Sequence, residues 1–193
     1  ARDAHSKGKG VKIMGCLPPI CESHRPDLSS AFIAEEGRDF VVQQYRLLAE
    51  ALLAGGCDSL LCETMNHWEE AQCCVDACKG LPCKLTISFE GAVRDNTLQS
   101  HPQRAPELCV RPVLKAVAQG AQVEAIGFNC APPEDILAAL QAIEAEPGLT
   151  EELAAAGIVL GAWANCNDRK AAHASGKTWA QSSEAQPQLK RDS

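Results

Sequence analysis

The sequence predicts an α/β fold in which helices cover a parallel sheet. Five short apolar runs alternate with longer amphipathic runs, at a repeat of about 35 residues. Glycines such as Gly55, Gly80 and Gly120 follow the amphipathic runs, at positions where helices commonly end. Strands that alternate with helices form βα units, and consecutive βα units build a parallel sheet.

The predicted strands are apolar at their centres and polar at their carboxyl ends. Residues 57–64 end on Glu63 and Thr64, and residues 123–130 end on Asn129 and Cys130. Because parallel strands end at the same edge of a sheet, these side chains are expected to share that edge. The other predicted strands are residues 11–17, 84–89 and 157–165.

Helices are predicted between the strands from the spacing of apolar residues. The inward residues are expected to be Val41, Tyr45, Leu48 and Leu52 in one helix and Ile136, Leu137, Leu140 and Ile143 in another. Asn66 is expected to cap a helix over residues 67–79. Residues 21–35 and 90–103 are polar, and they are predicted to be loops that follow strands. The helices are predicted over residues 37–54, 67–79, 106–118, 133–145 and 151–155.

The length limits how much of a barrel the chain can form. A closed eight-stranded barrel takes about 250 residues, and this chain has 193. The fold is therefore predicted to be either an open α/β sheet or an incomplete (β/α)8 TIM-type barrel. We assign the folded domain to residues 1–168. Residues 169–193 are polar and are predicted to be a partly disordered tail.

Composition excludes several classes of function. The net charge of -7 argues against nucleic acid as the main partner. No run approaches the roughly 18 apolar residues that a membrane span needs. The eleven cysteines are odd in number, and Cys57, Cys62 and Cys109 lie in apolar runs. This usage indicates mostly free thiols in a reducing compartment, and we expect a cytoplasmic protein.

Cys130 is the strongest candidate for chemistry. A thiolate at the carboxyl end of a strand can be a nucleophile or a soft metal ligand, although a buried cysteine at a strand end is also common. Glu63 follows an apolar strand, and a carboxylate there is expected to meet a cation. No Cys-x-x-Cys pair occurs, so Cys73, Cys74 and Cys78 are not expected to form a structural zinc site.

Four segments carry a family resemblance. Residues 15–19 read Gly-Cys-Leu-Pro-Pro, residues 58–64 end in Glu-Thr, residues 127–130 read Gly-Phe-Asn-Cys and residues 161–165 read Gly-Ala-Trp-Ala-Asn. In this order they resemble the motifs of the homocysteine S-methyltransferase family, and the Gly-x-Asn-Cys segment is the most specific. The resemblance implies a (β/α)8 barrel of which this chain holds roughly strands three to seven.

The resemblance also implies roles for residues. By this resemblance, Cys130 corresponds to a ligand of the catalytic Zn2+. Glu63 corresponds to the glutamate that pairs with the amino group of homocysteine, and Asn129 corresponds to a residue that orients the substrate. The implied reaction transfers a methyl group from a sulfonium donor such as S-methylmethionine, or from a quaternary ammonium donor, to homocysteine and gives methionine. Homocysteine and a small methyl donor are thus the expected partners, and the oligomeric state stays open. No residue of this chain is expected to act directly in the chemical step.

The sequence departs from the family in ways that leave alternatives open. The family's Gly-Gly-Cys-Cys motif, which supplies two further zinc thiolates, is absent. Cys166 is the one nearby candidate for a second ligand. The chain is therefore an incomplete methyltransferase, a non-catalytic remnant that serves as a binding or interaction module, or a cysteine-rich thiol or metal buffer.

Overall fold

The computed structural model describes residues 12–23, 26–65, 67–90 and 102–164. One five-stranded sheet runs through these residues, with every neighbouring pair of strands parallel and the strands in chain order. This order confirms the predicted βα repeat. The strands are β1 (Met14–Leu17), β2 (Ser59–Met65), β3 (Leu85–Glu90), β4 (Val123–Asn129) and β5 (Val159–Trp163).

Helices connect the strands. A 3₁₀ turn and a π-helical turn precede α4, and Pro112, which has no N–H to donate, lies in the first turn of α4. No helix in the described ranges is long and apolar enough to span a membrane. The helices are α1 (Pro26–Glu36), α2 (Arg38–Ala54), α3 (Trp68–Ala77), the 3₁₀ turn (Pro102–Arg104), the π-helical turn (Pro106–Val110), α4 (Arg111–Ala118), α5 (Pro133–Ala145) and α6 (Leu149–Ala155).

The two faces of the sheet differ in chemistry. The outer face packs against the helices and is fully buried at Leu60, Ile87, Ile126 and Phe128. Because side chains alternate along a strand, the inner face receives the residues between them. At the carboxyl end of the sheet this inner face is polar, and it is there that the predicted site residues lie.

Residues 21–35 are not the predicted loop throughout, because α1 occupies most of this segment. Pro26 is the first residue of α1, a position where its missing N–H costs nothing. Ile33 packs into the core and is 4% exposed. The Oγ atom of Ser29, itself buried, lies 3.0 Å from His67 Nε2. The polar composition of α1 thus reflects a buried contact with the following βα unit.

Two predicted inward leucines are exposed instead. Leu48 is 37% exposed and Leu137 is 55% exposed, whereas Ala49 and Ala139 are completely buried. The small alanines let each helix approach its neighbours closely, which turns the adjacent leucine outward. Apolar spacing located these helices and most of their inward residues correctly, including Val41, Tyr45 and Ile143, and was wrong at Leu48 and Leu137.

His67 forms the cap that the sequence analysis assigned to Asn66. The Nδ1 atom of His67 accepts a hydrogen bond from the backbone N–H of Glu70 at 3.4 Å, which satisfies a free donor of α3. Its Nε2 atom lies 3.0 Å from the hydroxyls of Ser29 and Ser30. Burial lowers the pKa of His67, which keeps the cap neutral. Asn66 itself lies outside the described residues.

Candidate functional site

Two non-glycine residues of the described chain have positive φ angles, and both lie at the carboxyl end of the sheet. Thr64 has a φ of 62° near the end of β2, and Cys130 has a φ of 53° directly after β4. A β-branched residue is disfavoured in this conformation, so Thr64 stores strain of about 1–3 kcal/mol. Such strain persists where neighbouring contacts hold it, and it marks this edge as a candidate site.

A hydrogen-bond network joins the two strained residues. Asn129 Nδ2 donates to Thr64 Oγ1 at 2.7 Å and to Cys130 Sγ at 3.3 Å. Thr64 Oγ1 donates to Cys130 Sγ at 3.9 Å, and the Thr64 N–H donates to Ser88 Oγ at 3.2 Å. Two donors therefore point at the sulfur of Cys130 and hold it beside Thr64 and Asn129.

The carbonyl oxygen of the Asn129 side chain has unused capacity. Asn129 is 4% exposed, and its Oδ1 atom has no hydrogen-bond partner among the described residues. A buried acceptor without a partner costs about 1–3 kcal/mol. This oxygen is therefore poised to accept a hydrogen bond from a bound molecule next to Cys130.

Glu63 lies on the inner face, immediately before Thr64. Its Oε2 atom accepts a hydrogen bond from the thiol of Cys16 on β1 at 3.1 Å. Burial, that hydrogen bond and the negative charge of Glu63 raise the pKa of Cys16 to about 12. The carboxylate is thus held near the end of β2 by a neutral thiol, and no Lys or Arg bonds to it among the described residues.

A row of three residues crosses the sheet beside Cys130. Glu90 pairs in register with Asn129, and Asn129 pairs with Trp163. Glu90, which was predicted to begin a polar loop, is the last residue of β3 and is 1% exposed. Its neighbours on the strand are apolar or small, and no sequence signal separated it from the loop that follows.

Trp163 occupies space that two glycines leave open. A Cβ atom at Gly127 would lie 2.0 Å from Cζ3 of the Trp163 indole, and one at Gly161 would lie 3.2 Å from its Cη2. The indole can therefore take this position only because Gly127 lacks a side chain, whereas a methyl group at Gly161 would make a tight contact. Trp163 is 51% exposed, and its carbonyl oxygen accepts a hydrogen bond from the N–H of Cys130 at 3.2 Å.

The described residues do not by themselves form a metal site. No group of three or more His, Cys, Asp or Glu side chains in these ranges could hold a metal ion. A catalytic zinc site normally has three protein ligands. Of the two thiols that the described residues place at this edge, Cys130 accepts hydrogen bonds, whereas Cys16 donates one to Glu63. The described residues thus fit one position of a thiolate site.

The structure places the predicted site residues as follows. Asn129 and Cys130 lie together with Thr64, and Glu63 is the next residue along β2. Gly15 faces α2 instead of the site, since a Cβ there would lie 3.0 Å from Leu52 Cβ. Among the residues that the sequence analysis left without a role, Cys16, Thr64, Glu90 and Trp163 also lie at this edge. Asn165 and Cys166 lie outside the described residues.

A sequence profile described as homocysteine S-methyltransferase matches residues 1–189. The chain belongs to this family. Among curated proteins, none matches the sequence. The family assignment agrees with the resemblance of the four strand-end segments, since the matched range includes all of them.

Two solved structures show that the family's fold is also present. They are the apo and metallated forms of the homocysteine methyltransferase MmuM from Escherichia coli. The apo form is 21% identical to this chain with a TM-score of 0.53, and the metallated form is 22% identical with a TM-score of 0.52. Each match covers 88% of this chain and 63% of the MmuM chain. This chain therefore spans less than two thirds of the length of these structures.

Proposed function

We propose that the carboxyl edge of the sheet binds homocysteine for methylation of its sulfur to methionine. The observation that carries the proposal is the strained pair Thr64 and Cys130, which Asn129 links into one hydrogen-bonded unit. Family membership supplies the reaction class. This expectation favours an enzyme, or the core of one, over a binding module or a metal buffer.

Three side chains would hold the substrate in this proposal. Cys130 would contribute one thiolate to a Zn2+ site, and two further thiolates would have to come from outside the described residues. Glu63 would accept the ammonium group of homocysteine, which is the cation that a carboxylate at this position calls for. Asn129 would use its unpartnered Oδ1 to accept a hydrogen bond from the same ammonium group.

The reaction requires a deprotonated homocysteine thiol, a positively charged methyl donor and a site that excludes water. Zinc, when bound, lowers the pKa of a thiol that joins it, so that a thiolate exists at neutral pH. The homocysteine sulfur forms a bond to the methyl carbon of the donor. The bond from that carbon to the donor's sulfur breaks, and its electron pair stays on that sulfur. A sulfonium donor such as S-methylmethionine thus becomes a neutral thioether, and loss of its charge is favoured in a site shielded from water.

Zinc uptake and homocysteine binding test the proposal on one sample. We expect the 193-residue chain to take up zinc weakly, because the sequence lacks the Gly-Gly-Cys-Cys segment. Cys130→Ser should remove this uptake, whereas Cys57→Ser, a matched change in a half-buried cysteine, should leave it in place. The same chain should bind homocysteine, and failure to bind it under any zinc loading would contradict the proposed function.

Methionine formation tests the reaction itself. We expect the 193-residue chain alone to transfer no methyl group from S-methylmethionine. A longer chain that adds the two missing thiolates should form methionine, and Cys130→Ser in that chain should abolish the activity. An unaffected Cys130→Ser enzyme would show that Cys130 is not a zinc ligand.

A further inference from the structure

Among the described residues, one aromatic side chain, that of Trp163, lies on the inner face next to Cys130. The indole of Trp163 is held above Gly127 and Gly161, and about half of its surface is open. A side chain of this size usually buries most of its surface in a folded protein. Its exposed ring is therefore available to a bound molecule on the inner face.

The charged residues of the described strands near this indole carry one sign. The charged residues that the described strands place on the inner face at its carboxyl end are Glu63 and Glu90. Glu90 lies in the same row as Trp163, two strand spacings away, or about 10 Å between backbones. No Lys or Arg occurs in β1, β2, β3, β4 or β5. An aromatic ring near buried negative charge attracts cations and gives no advantage to anions.

The position of Trp163 would also suit transfer of a methyl group to homocysteine bound at the proposed site. The backbone N–H of Cys130 bonds to the carbonyl oxygen of Trp163, so the thiol and the indole sit on adjacent strand ends. A cation that rests against the indole is therefore one strand away from the sulfur of Cys130. Gly127, on the same strand as Cys130, lacks a side chain, and the Trp163 indole occupies the space above it.

We propose that Trp163, with Glu90 two strands away in the same row, binds the positively charged group of the methyl donor, an onium cation that carries methyl groups. The ring attracts the cation through its π-electron face, and the buried carboxylate adds a longer-range attraction. The proposal rests on the proposed function, because it names the donor subsite of the same site. It makes Trp163 the residue that selects charged donors over neutral molecules of the same shape.

Two probes of equal shape and different charge test this subsite. Choline and 3,3-dimethylbutan-1-ol differ mainly in one charged nitrogen in place of carbon, and binding of each to the 193-residue chain can be measured by titration calorimetry or ligand-observed NMR. We expect choline to bind about tenfold more tightly than the neutral alcohol. Trimethylsulfonium should bind like choline if the site takes sulfonium donors, and more weakly if it prefers quaternary ammonium. Equal binding of choline and the alcohol, or no binding of any cation, would overturn the proposal.

Variants connect the selectivity to named side chains. Trp163→Leu should remove the preference for choline, Trp163→Phe should keep part of it, and Glu90→Gln should reduce it about threefold. Trp68→Phe is the matched control, because Trp68 lies on α3 on the other side of the sheet. Circular dichroism shows whether each variant is folded, and the comparison of the two probes on the unmodified chain needs no variant. A Trp163→Leu chain that keeps the full preference would overturn the role of the indole.

Measuring choline, zinc and homocysteine binding together distinguishes the cation site at Trp163 from the proposed homocysteine site. Cys130→Ser should leave choline binding unchanged while it removes zinc uptake. A chain that binds choline through Trp163 but never binds homocysteine would refute the proposed function and keep the cation site. A chain that binds homocysteine but shows no preference for choline would refute the cation site alone.

Discussion

Thr64 and Cys130 come from strands that are not neighbours in the sheet, yet the hydroxyl of one donates to the thiol of the other. The strand between them, β3, supplies Ser88, whose hydroxyl accepts the Thr64 N–H. Both residues adopt left-handed backbone conformations. The strain and the hydrogen bonds therefore belong to one local arrangement, and changes at Thr64 should reveal both.

The hydroxyl of Thr64 is expected to contribute more to the stability of the fold than its methyl group does. Thr64→Ala leaves the Asn129 side chain without an acceptor at 2.7 Å and should destabilise the fold by about 1–2 kcal/mol. Thr64→Ser keeps the hydroxyl and removes the β-branch that disfavours a positive φ, so its free energy of unfolding should equal or exceed that of the original chain. Chemical denaturation measures both. A Ser variant as unstable as the Ala variant would contradict the role of the hydroxyl.

The rate at which Cys16 is alkylated should depend on the charge of Glu63. Because burial and Glu63 raise the pKa of Cys16 to about 12, this thiol stays protonated at pH 8 and should react slowly with iodoacetamide. Glu63→Gln removes the negative charge, lowers the pKa of Cys16 and should speed its alkylation about tenfold. Site-resolved mass spectrometry measures the rate, with Glu124→Gln on β4 as the control. An unchanged rate in Glu63→Gln would show that the carboxylate does not act on this thiol.

A side chain at Gly127 should displace Trp163. Because the added methyl would lie 2.0 Å from the indole, Gly127→Ala should cost about 1–3 kcal/mol and shift tryptophan emission to longer wavelength. Gly161→Ala, where the nearest indole atom is 3.2 Å away, should have a smaller effect on both. The emission is best measured after Trp68→Phe and Trp179→Phe. Equal spectra for the two alanine variants would contradict the position of the indole.

Acid should destabilise the chain through His67. Burial lowers the pKa of His67, although Glu70 and Glu69 oppose this shift. The unfolded chain takes up a proton near pH 6.5, while folded His67 resists it until lower pH, so stability should fall as the pH drops below about 6.5. His67→Asn keeps an acceptor that can cap the helix and should lose part of this dependence. Chemical denaturation of the original chain and of His67→Asn at pH 7 and pH 5 tests this prediction. If the stability of the two chains depends on pH in the same way, His67 is not the source of the dependence.

Local patterns predicted the sheet better than they predicted the site. Apolar runs located all five strands because the middle of the sheet is mostly buried: β3 is buried at every position, and β2 and β4 at most of theirs. The segment at α1 was missed because its polar residue Ser29 meets a partner, His67, from a distant part of the sequence. The exposure of Leu48 and Leu137 was missed because the close approach of Ala49 and Ala139 depends on three-dimensional packing.

The sequence placed candidate site residues at this edge only where a single residue stands at the end of a strand. Glu63, Asn129 and Cys130 stand at strand ends, so the βα pattern placed them at one edge. Trp163 depends on the register that brings Gly127 beside Gly161, and register cannot be read from either strand alone. Its place over the glycines is therefore a property of the assembled sheet.

The central claim is that Glu63 binds the ammonium group of homocysteine at the edge that carries Cys130. The most direct test compares homocysteine with 4-mercaptobutanoate, which keeps the thiol and carboxylate but lacks the amino group, on the original chain and on Glu63→Gln. The claim predicts that Glu63→Gln weakens homocysteine binding about tenfold and changes 4-mercaptobutanoate binding by less than about twofold. Equal losses for the two ligands, or no loss for homocysteine, would contradict it.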